Sequence, residues 1–367
     1  MALLTPDYSG RMRRLESQLA GNKLDFLLIS HLANVRYLSG FTGSAAALLV
    51  SDDGAVLFTD GRYIVQARDE AGKVIRIVIA RKAPTLAAAE WLAARNRAGR
   101  RWIGIEPESV SAGLRDRLVS ILPGKQRVRS APPLVERLRM IKDREEITRI
   151  RSAVELGASL FRRARGKIRC GTSEVEVAAA MEYEARSRGA ESMSFPTIIA
   201  SGARSDMVHG RASAARIPRR GFVVCDFGVI LAGYCSDRTR TVHVGRPSRE
   251  ARAFYDAVLT AQEAAIVAVR PGVRAAQVDA AARRVLRRAG LARYFTHSTG
   301  HGLGLEIHEA PRLAAGQDQV LKPGMVVTIE PGAYIPGKWG VRIEDVVVVT
   351  PSGCEVLAPA GKELVDV

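Results

Sequence analysis

The chain has 367 residues, 47% apolar and 25% charged, with a formal net charge of +17. That length suits two domains, and the apolar content fills a core in each, which excludes a disordered or low-complexity polymer. The basic residues form short scattered clusters such as RMRR, FRRAR and IPRR, without interleaved aromatics. A nucleic-acid or membrane-surface role calls for a concentrated patch, so neither partner is expected.

The first third alternates helix-like and strand-like segments. GRMRRLESQLAG reads as an amphipathic helix closed by Gly21. The short apolar runs DFLLIS, AAALLVS, AVLFTD and VIRIVIA follow, with turn residues such as DDG between them. TLAAAEWLAARNRAG reads as a helix and RWIGIEP as a further strand. This alternation points to an α/β domain with a largely parallel sheet. No GxGxxG or GxxxxGK[ST] phosphate loop is present.

Pro132 and Pro133 interrupt the pattern, and the boundary is set there: an N-terminal α/β domain over 1–137 and a second domain over 138–367. The second opens with a long helix near Asp143, with Glu145 and Glu146 at its positive end. TSEVEVAAAMEYEARSRG follows, with Thr172 as N-cap and Gly189 as stop. Two more helices are SREARAFYDAVLTAQEAAIVAVR and RAAQVDAAARRVLRRAG. The strand candidates are GFVVCDFGVIL, YCSDRTRTVHV, MVVTIEPGAY and VRIEDVVVVT. An α+β domain is expected, with helices on one face of a mainly antiparallel, curved sheet.

Four acids are embedded in those strands: Asp226, Asp237, Glu330 and Glu344. Asp is disfavoured in strands and a buried carboxylate needs a partner, although any one of these alone reads equally well as a strand-end residue. The histidines add to the pattern. Of six, His297, His301 and His308 lie together in the glycine-rich HSTGHGLGLEIHEAP, where helix packing explains little. Four carboxylates and an imidazole carry enough charge for two hard or borderline divalent ions about 3.5–4 Å apart. The cysteines (Cys170, Cys225, Cys235, Cys354) form no CxxC pair, which excludes a thiolate zinc site. No histidine follows His308 at the spacing a zincin helix needs. With no signal-like hydrophobic region and no apolar run near the roughly 20 residues of a membrane span, a reduced, cytoplasmic setting is expected.

The strings DFG, SDRTRT, HSTGHGLGLEIHE, TIEPG and RIED, in that order, resemble the pita-bread metallopeptidases, in particular the proline-specific branch of Xaa-Pro aminopeptidases and Xaa-Pro dipeptidases (prolidases). NVRYLSGFTGS resembles the smaller N-terminal domain of that branch. The resemblance implies an α+β pita-bread (creatinase/aminopeptidase-like) catalytic domain behind a smaller α/β domain. It also implies a homodimer acting on peptides with proline in second position, by attack of a hydroxide bridging two divalent ions. Manganese is the first expectation for those ions, with cobalt, zinc or iron as alternatives.

Residue by residue, the resemblance implies that Asp226 holds one ion, that Asp237 and Glu344 bridge both, and that His301 and Glu330 complete the second. Glu330 is also the expected proton carrier. His209 and His308 would donate hydrogen bonds to the substrate or the developing oxyanion, and His297 joins this catalytic set as support for the same loop. Phe195 matches an aromatic position that packs on the proline ring, and Arg312 is a candidate for a substrate carboxylate. Arg342 is expected to brace a ligand carboxylate, while His31 and His243 read as structural. One departure is visible: the family has proline before its first catalytic histidine, and this chain has Val208. The alternative is a metal-free relative that binds protein or nucleic acid on the same fold, but such relatives lack several ligands and all five are present here.

Overall fold

The computed structural model describes residues 6–95, 101–122 and 126–367. The chain divides into two compact units, Thr5–Arg139 and Met140–Val367.

The first unit is built on a six-stranded sheet, ordered Arg76–Ala80, Gly54–Asp60, Ala46–Ser51, Phe26–Ile29, Arg101–Ile105 and Gln126–Ser130. Three pairings are parallel, but the two made by Ala46–Ser51 are antiparallel, so the sheet is mixed. The DDG turn is the cause. Ser51 pairs with Gly54, leaving a two-residue hairpin loop, and Gly54 supplies φ +110°. Leu28, Leu49, Phe58, Ile103 and Ile105 pack with Ala88, Ala89, Leu92 and Leu118 from helices Pro84–Arg95 and Ala112–Ile121. The end of the helix expected over TLAAAEWLAARNRAG, from residue 96 on, lies outside the described residues.

The second unit carries helices Arg144–Ala164, Glu174–Ser187, Arg249–Ala268 and Ala275–Arg288. Asp143 caps the first in a capping box with Glu146. The cap of the second is Ser173, one residue beyond the expected Thr172, because Glu176 at the third helical position reaches back to Ser173 and not to its neighbour. The strands pair antiparallel throughout. One sheet orders Arg238–Val244, Gly221–Phe227 and Ile198–Ser201; another orders Glu309–Leu313, Gly300–Gly302, Val326–Ile329, Asp345–Val349 and Cys354–Val356.

The helices do not all lie on one face. Val327, Val347 and Val349 share a core with Val258, Ala261, Val278 and Ala282, while Val326, Val346 and Val348 share another with Ile150 and Val154. The unbroken VVVV run leaves no polar face, so both sides of that strand must be covered. Each fully buried valine contributes about 1.5–3 kcal/mol relative to exposure.

All four expected strands are interrupted, GFVVCDFGVIL at Gly228 between Gly221–Phe227 and Val229–Leu231 and the other three at an acid. YCSDRTRTVHV splits into Tyr234–Cys235 and Arg238–Val244 around Asp237. MVVTIEPGAY splits into Val326–Ile329 and Gly332–Ile335 at Glu330 and Pro331. VRIEDVVVVT splits into Trp339–Arg342 and Asp345–Val349 around Glu344. Asp226 alone stays within a strand, one residue before its end. Breaks in the ladder let these side chains turn toward a common point.

Candidate metal centre

The breaks bring the acids to His301. Its Nε2 lies 3.5 Å from Asp237 Oδ2 and 3.4 Å from Glu330 Oε1. Asp237, His301 and Glu344 each offer a donor atom within 4.8 Å of the others. Asp226, Asp237 and Glu344 are almost wholly buried, and Glu330 is half-buried. His301 Nδ1 sits 2.9 Å from the Gly302 carbonyl oxygen, which can only accept. The neutral ring therefore carries its hydrogen on Nδ1 and turns the lone pair of Nε2 toward two carboxylates. That arrangement is repulsive unless a cation lies between.

The acids show the same frustration. Burial pushes the Asp237 carboxyl well above its ordinary range, and the charges of Asp226 and Glu330 add to the effect. Glu344 is raised by burial and then by Asp237, Glu330 and Asp226. Glu330 is raised mainly by burial, with His301 and Arg342 opposing. Asp226 Oδ1 and Glu344 Oε1 are buried with no hydrogen-bond partner. A buried ion costs several kcal/mol when uncompensated, more than one valine returns. Hard oxygen donors with unused lone pairs beside an imidazole nitrogen fit a divalent cation.

Among the described residues, Arg342 supplies the one guanidinium bonded to a carboxylate of these four acids. Its Nη2 donates to Asp226 Oδ2 at 2.6 Å, its Nη1 to Tyr334 Oη at 2.7 Å and its Nε to Thr239 Oγ1 at 3.1 Å. Thr239 Oγ1 in turn donates to Glu344 Oε2 at 2.8 Å. Thr328 Oγ1 accepts from the His301 amide and donates to Glu330 Oε1. Nη1 of Arg342 also donates to the Val208 carbonyl, at 3.1 Å, so the backbone before His209 is tethered where the family has proline.

The remaining expected residues fall into different places. The His308 ring meets that of His301 edge-on at 4.4 Å, and burial, then His301, lowers its pKa. His209 is exposed and is an electrostatic neighbour of His308 and His297. His297 is tied to its surroundings through its ring. Its Nε2 lies 3.1 Å from Tyr334 Oη and its Nδ1 2.8 Å from the Ser298 carbonyl, so both nitrogens are engaged in support. Burial drives its pKa down to about 3 and keeps it neutral. Arg312 pairs directly across from His301, which puts both side chains on one face of the sheet, and it is exposed. Phe195 is half-buried between Ser192–Met193 and Ile198–Ser201, and no ring pairing among the described residues involves it. His243 bonds the Gly245 carbonyl and meets Phe222 edge-on, a structural place.

Close packing explains the glycines of the histidine loop. A Cβ at Gly300 would collide with the Thr328 carbonyl, one at Gly302 with the Ala310 carbonyl, and one at Gly304 with the Glu309 carboxylate. Glu309 is itself held by Lys142 Nζ at 3.0 Å, a pair with almost no exposure. Sequence reasoning missed Tyr334, Thr239, Thr328 and Lys142. The period-two rule offered one signal. Gly332 pairs with Arg342 and Tyr334 with Gly340, so Tyr334 and Arg342 are diagonal neighbours on one face of a hairpin.

Residues 148–351 match the model of metallopeptidase family M24, and residues 11–141 match that of the creatinase/prolidase N-terminal domain. The chain is 37% identical to the Xaa-Pro dipeptidase of Pyrococcus furiosus over 96% of this chain and 99% of that protein. Its structure is similar to that of the Xaa-Pro dipeptidase from Bacillus anthracis, with a TM-score of 0.93 and 38% identity over 98% of this chain and 100% of that one. It is also similar to the X-Pro aminopeptidase from Thermotoga maritima, with a TM-score of 0.88 and 36% identity over 97% of this chain and 99% of that one. Among the described residues no helix is long and apolar enough to cross a membrane. The Met140–Val367 unit has the pita-bread fold. The chain belongs to metallopeptidase family M24, with a creatinase/prolidase N-terminal domain ahead of its catalytic domain.

Proposed function

We propose that this protein is an Xaa-Pro metallopeptidase, a cytoplasmic homodimer that hydrolyses the bond between an N-terminal residue and a following proline. The observation that carries this reading is the approach of His301 Nε2 to Asp237 Oδ2 and Glu330 Oε1, beside the partnerless oxygens of Asp226 and Glu344. Asp226, Asp237, His301, Glu330 and Glu344 would hold two divalent ions, manganese first, with Asp237 and Glu344 shared between them. When bound, such a pair supplies Lewis acidity and a water activated near neutral pH.

The chain's own residues supply the rest. Glu330, beside the site of attack, would take the proton of the attacking water and deliver it to the leaving proline nitrogen. His308, its pKa lowered, is neutral near pH 7 and donates a hydrogen bond to the oxygen on which charge develops. His209, an electrostatic neighbour of His308, would donate a hydrogen bond to the substrate, and Arg312, on the face of His301, takes a carboxylate of the peptide. Phe195 would pack against the proline ring. The similar proteins include both Xaa-Pro dipeptidases and an X-Pro aminopeptidase.

The test is hydrolysis by manganese-loaded protein of Ala-Pro, Ala-Pro-Ala and a longer Ala-Pro peptide, beside Met-Ala. Cleavage of the Xaa-Pro peptides, abolished by chelation, is expected, and the chain-length profile separates the two types. Intact Xaa-Pro peptides under every metal would overturn the reading.

A further inference from the structure

Helix Ala275–Arg288 buries one face made of Ala275, Val278, Asp279, Ala282 and Leu286. Asp279 breaks that apolar stripe at 1% exposure, and aspartate is a poor helix residue even at the surface. A carboxylate retained there needs compensation. Asp279 Oδ1 accepts from the Thr299 amide at 3.2 Å and from Thr299 Oγ1 at 2.8 Å. Its Oδ2 accepts from Arg283 Nε at 2.7 Å. Arg283 then donates from Nη1 to the Phe295 carbonyl at 3.1 Å and from Nη2 to the His297 carbonyl at 2.6 Å, with its guanidinium 4.3 Å from the Phe295 ring centre.

Four hydrogen bonds thus fasten one turn of helix to residues 295–299, just before His301, and the Arg283–Asp279 pair within the helix joins them. The Thr299 carbonyl accepts from the Glu330 amide at 2.8 Å, and Gly300 is pressed against the Thr328 carbonyl. A displacement of Thr299 therefore moves His301 along the chain and Glu330 across the sheet together.

The geometry points to Asp279 and Arg283 as positioning residues that act through Thr299 to set the separation of His301 and Glu330 for the cation they share. The inference rests on the metal reading above. Neither side chain is assigned contact with a cation or a peptide. Their effect is on the placement of donors, and loss of such outer partners typically weakens metal binding about 10–100-fold.

Manganese binding to the full chain, followed by calorimetry and by the spin-resonance spectrum of the bound ion, tests this in Thr299→Val, Thr299→Ser and Asp279→Asn. Thr299→Val is nearly isosteric and removes one donor, so it keeps the test open if Asp279→Asn fails to fold. The expected result is about tenfold weaker binding and an altered spectrum in Thr299→Val, recovered in Thr299→Ser, with a larger loss in Asp279→Asn. The near-ultraviolet dichroism of the metal-free forms should match wild type. Wild-type binding with both Thr299→Val and folded Asp279→Asn within about twofold of it would overturn the positioning role and leave the metal reading intact. A wild-type chain that takes up no manganese overturns both.

Discussion

The guanidinium of Arg342 lies 2.6 Å from the carboxylate of Asp226, and both are buried among the other three acids. One permanent cation thus stands among four carboxyl groups. It neutralises part of a cluster that the fold otherwise leaves unbalanced. Removing one partner of a buried pair typically costs about 3–5 kcal/mol, because the other charge is stranded. Arg342→Gln should lose about that much stability in chelator, measured by urea unfolding, and regain part of it when manganese is added. Equal losses with and without manganese would show that Arg342 braces the fold independently of any cation.

Loss of a shared ligand should be more drastic for activity. Asp237→Ala or Glu344→Ala would leave two dications with one fewer carboxylate between them, so Xaa-Pro hydrolysis should vanish and metal content fall. Near-normal turnover at full occupancy in either variant would refute the assignment.

His308→Ala should separate chemistry from binding. A hydrogen-bond donor to a developing charge is typically worth about 10²–10³ in turnover. The expected variant has that loss in kcat with metal content unchanged. Loss of metal instead would place His308 among the ligands.

The raised acids give a pH signature with a definite sign. Asp237 ordinarily titrates at 3.8, and Glu330 and Glu344 at 4.5, and all three are raised in the fold without metal. Above those ordinary values the folded chain holds protons that the unfolded chain has lost. Its stability therefore falls as pH rises from about 4 toward the folded values. Cation binding favours the ionised forms, so manganese uptake near neutral pH should release protons. Melting in chelator should drop from pH 5 to pH 8, and titration calorimetry in buffers of different ionisation heat should detect the released protons. A melting temperature that rises over that range in chelator would contradict the account.

The sequence revealed much of this centre because the chemistry needs residue types that strands otherwise reject. Asp226, Asp237, Glu330 and Glu344 stood out against valine and isoleucine, and His301 against glycine. The order of their strings carried the family. The strand break at Glu344 was not legible, because Ile343 and Val346 keep an apolar pattern across it, whereas the Pro331–Gly332 pair after Glu330 is a turn signal that the sequence does carry. Periodicity shows which residues are buried and does not show where a ladder stops. Arg342 bonds the Asp226 carboxylate, and its bond to Tyr334 depends on hairpin register. The clamp from Asp279 to Thr299 joins a helix to a loop 20 residues on, a contact that only the folded chain defines. The partners of His297, Tyr334 Oη and the Ser298 carbonyl, likewise emerge only in the folded chain.

Diffraction from manganese-loaded crystals at the metal absorption edge tests the central claim most directly. The account predicts two anomalous peaks, with oxygen or nitrogen atoms of Asp226, Asp237, His301, Glu330 and Glu344 within bonding distance and both Asp237 and Glu344 touching each peak. No peak among these side chains, or one whose ligands exclude His301 or either shared carboxylate, would contradict it.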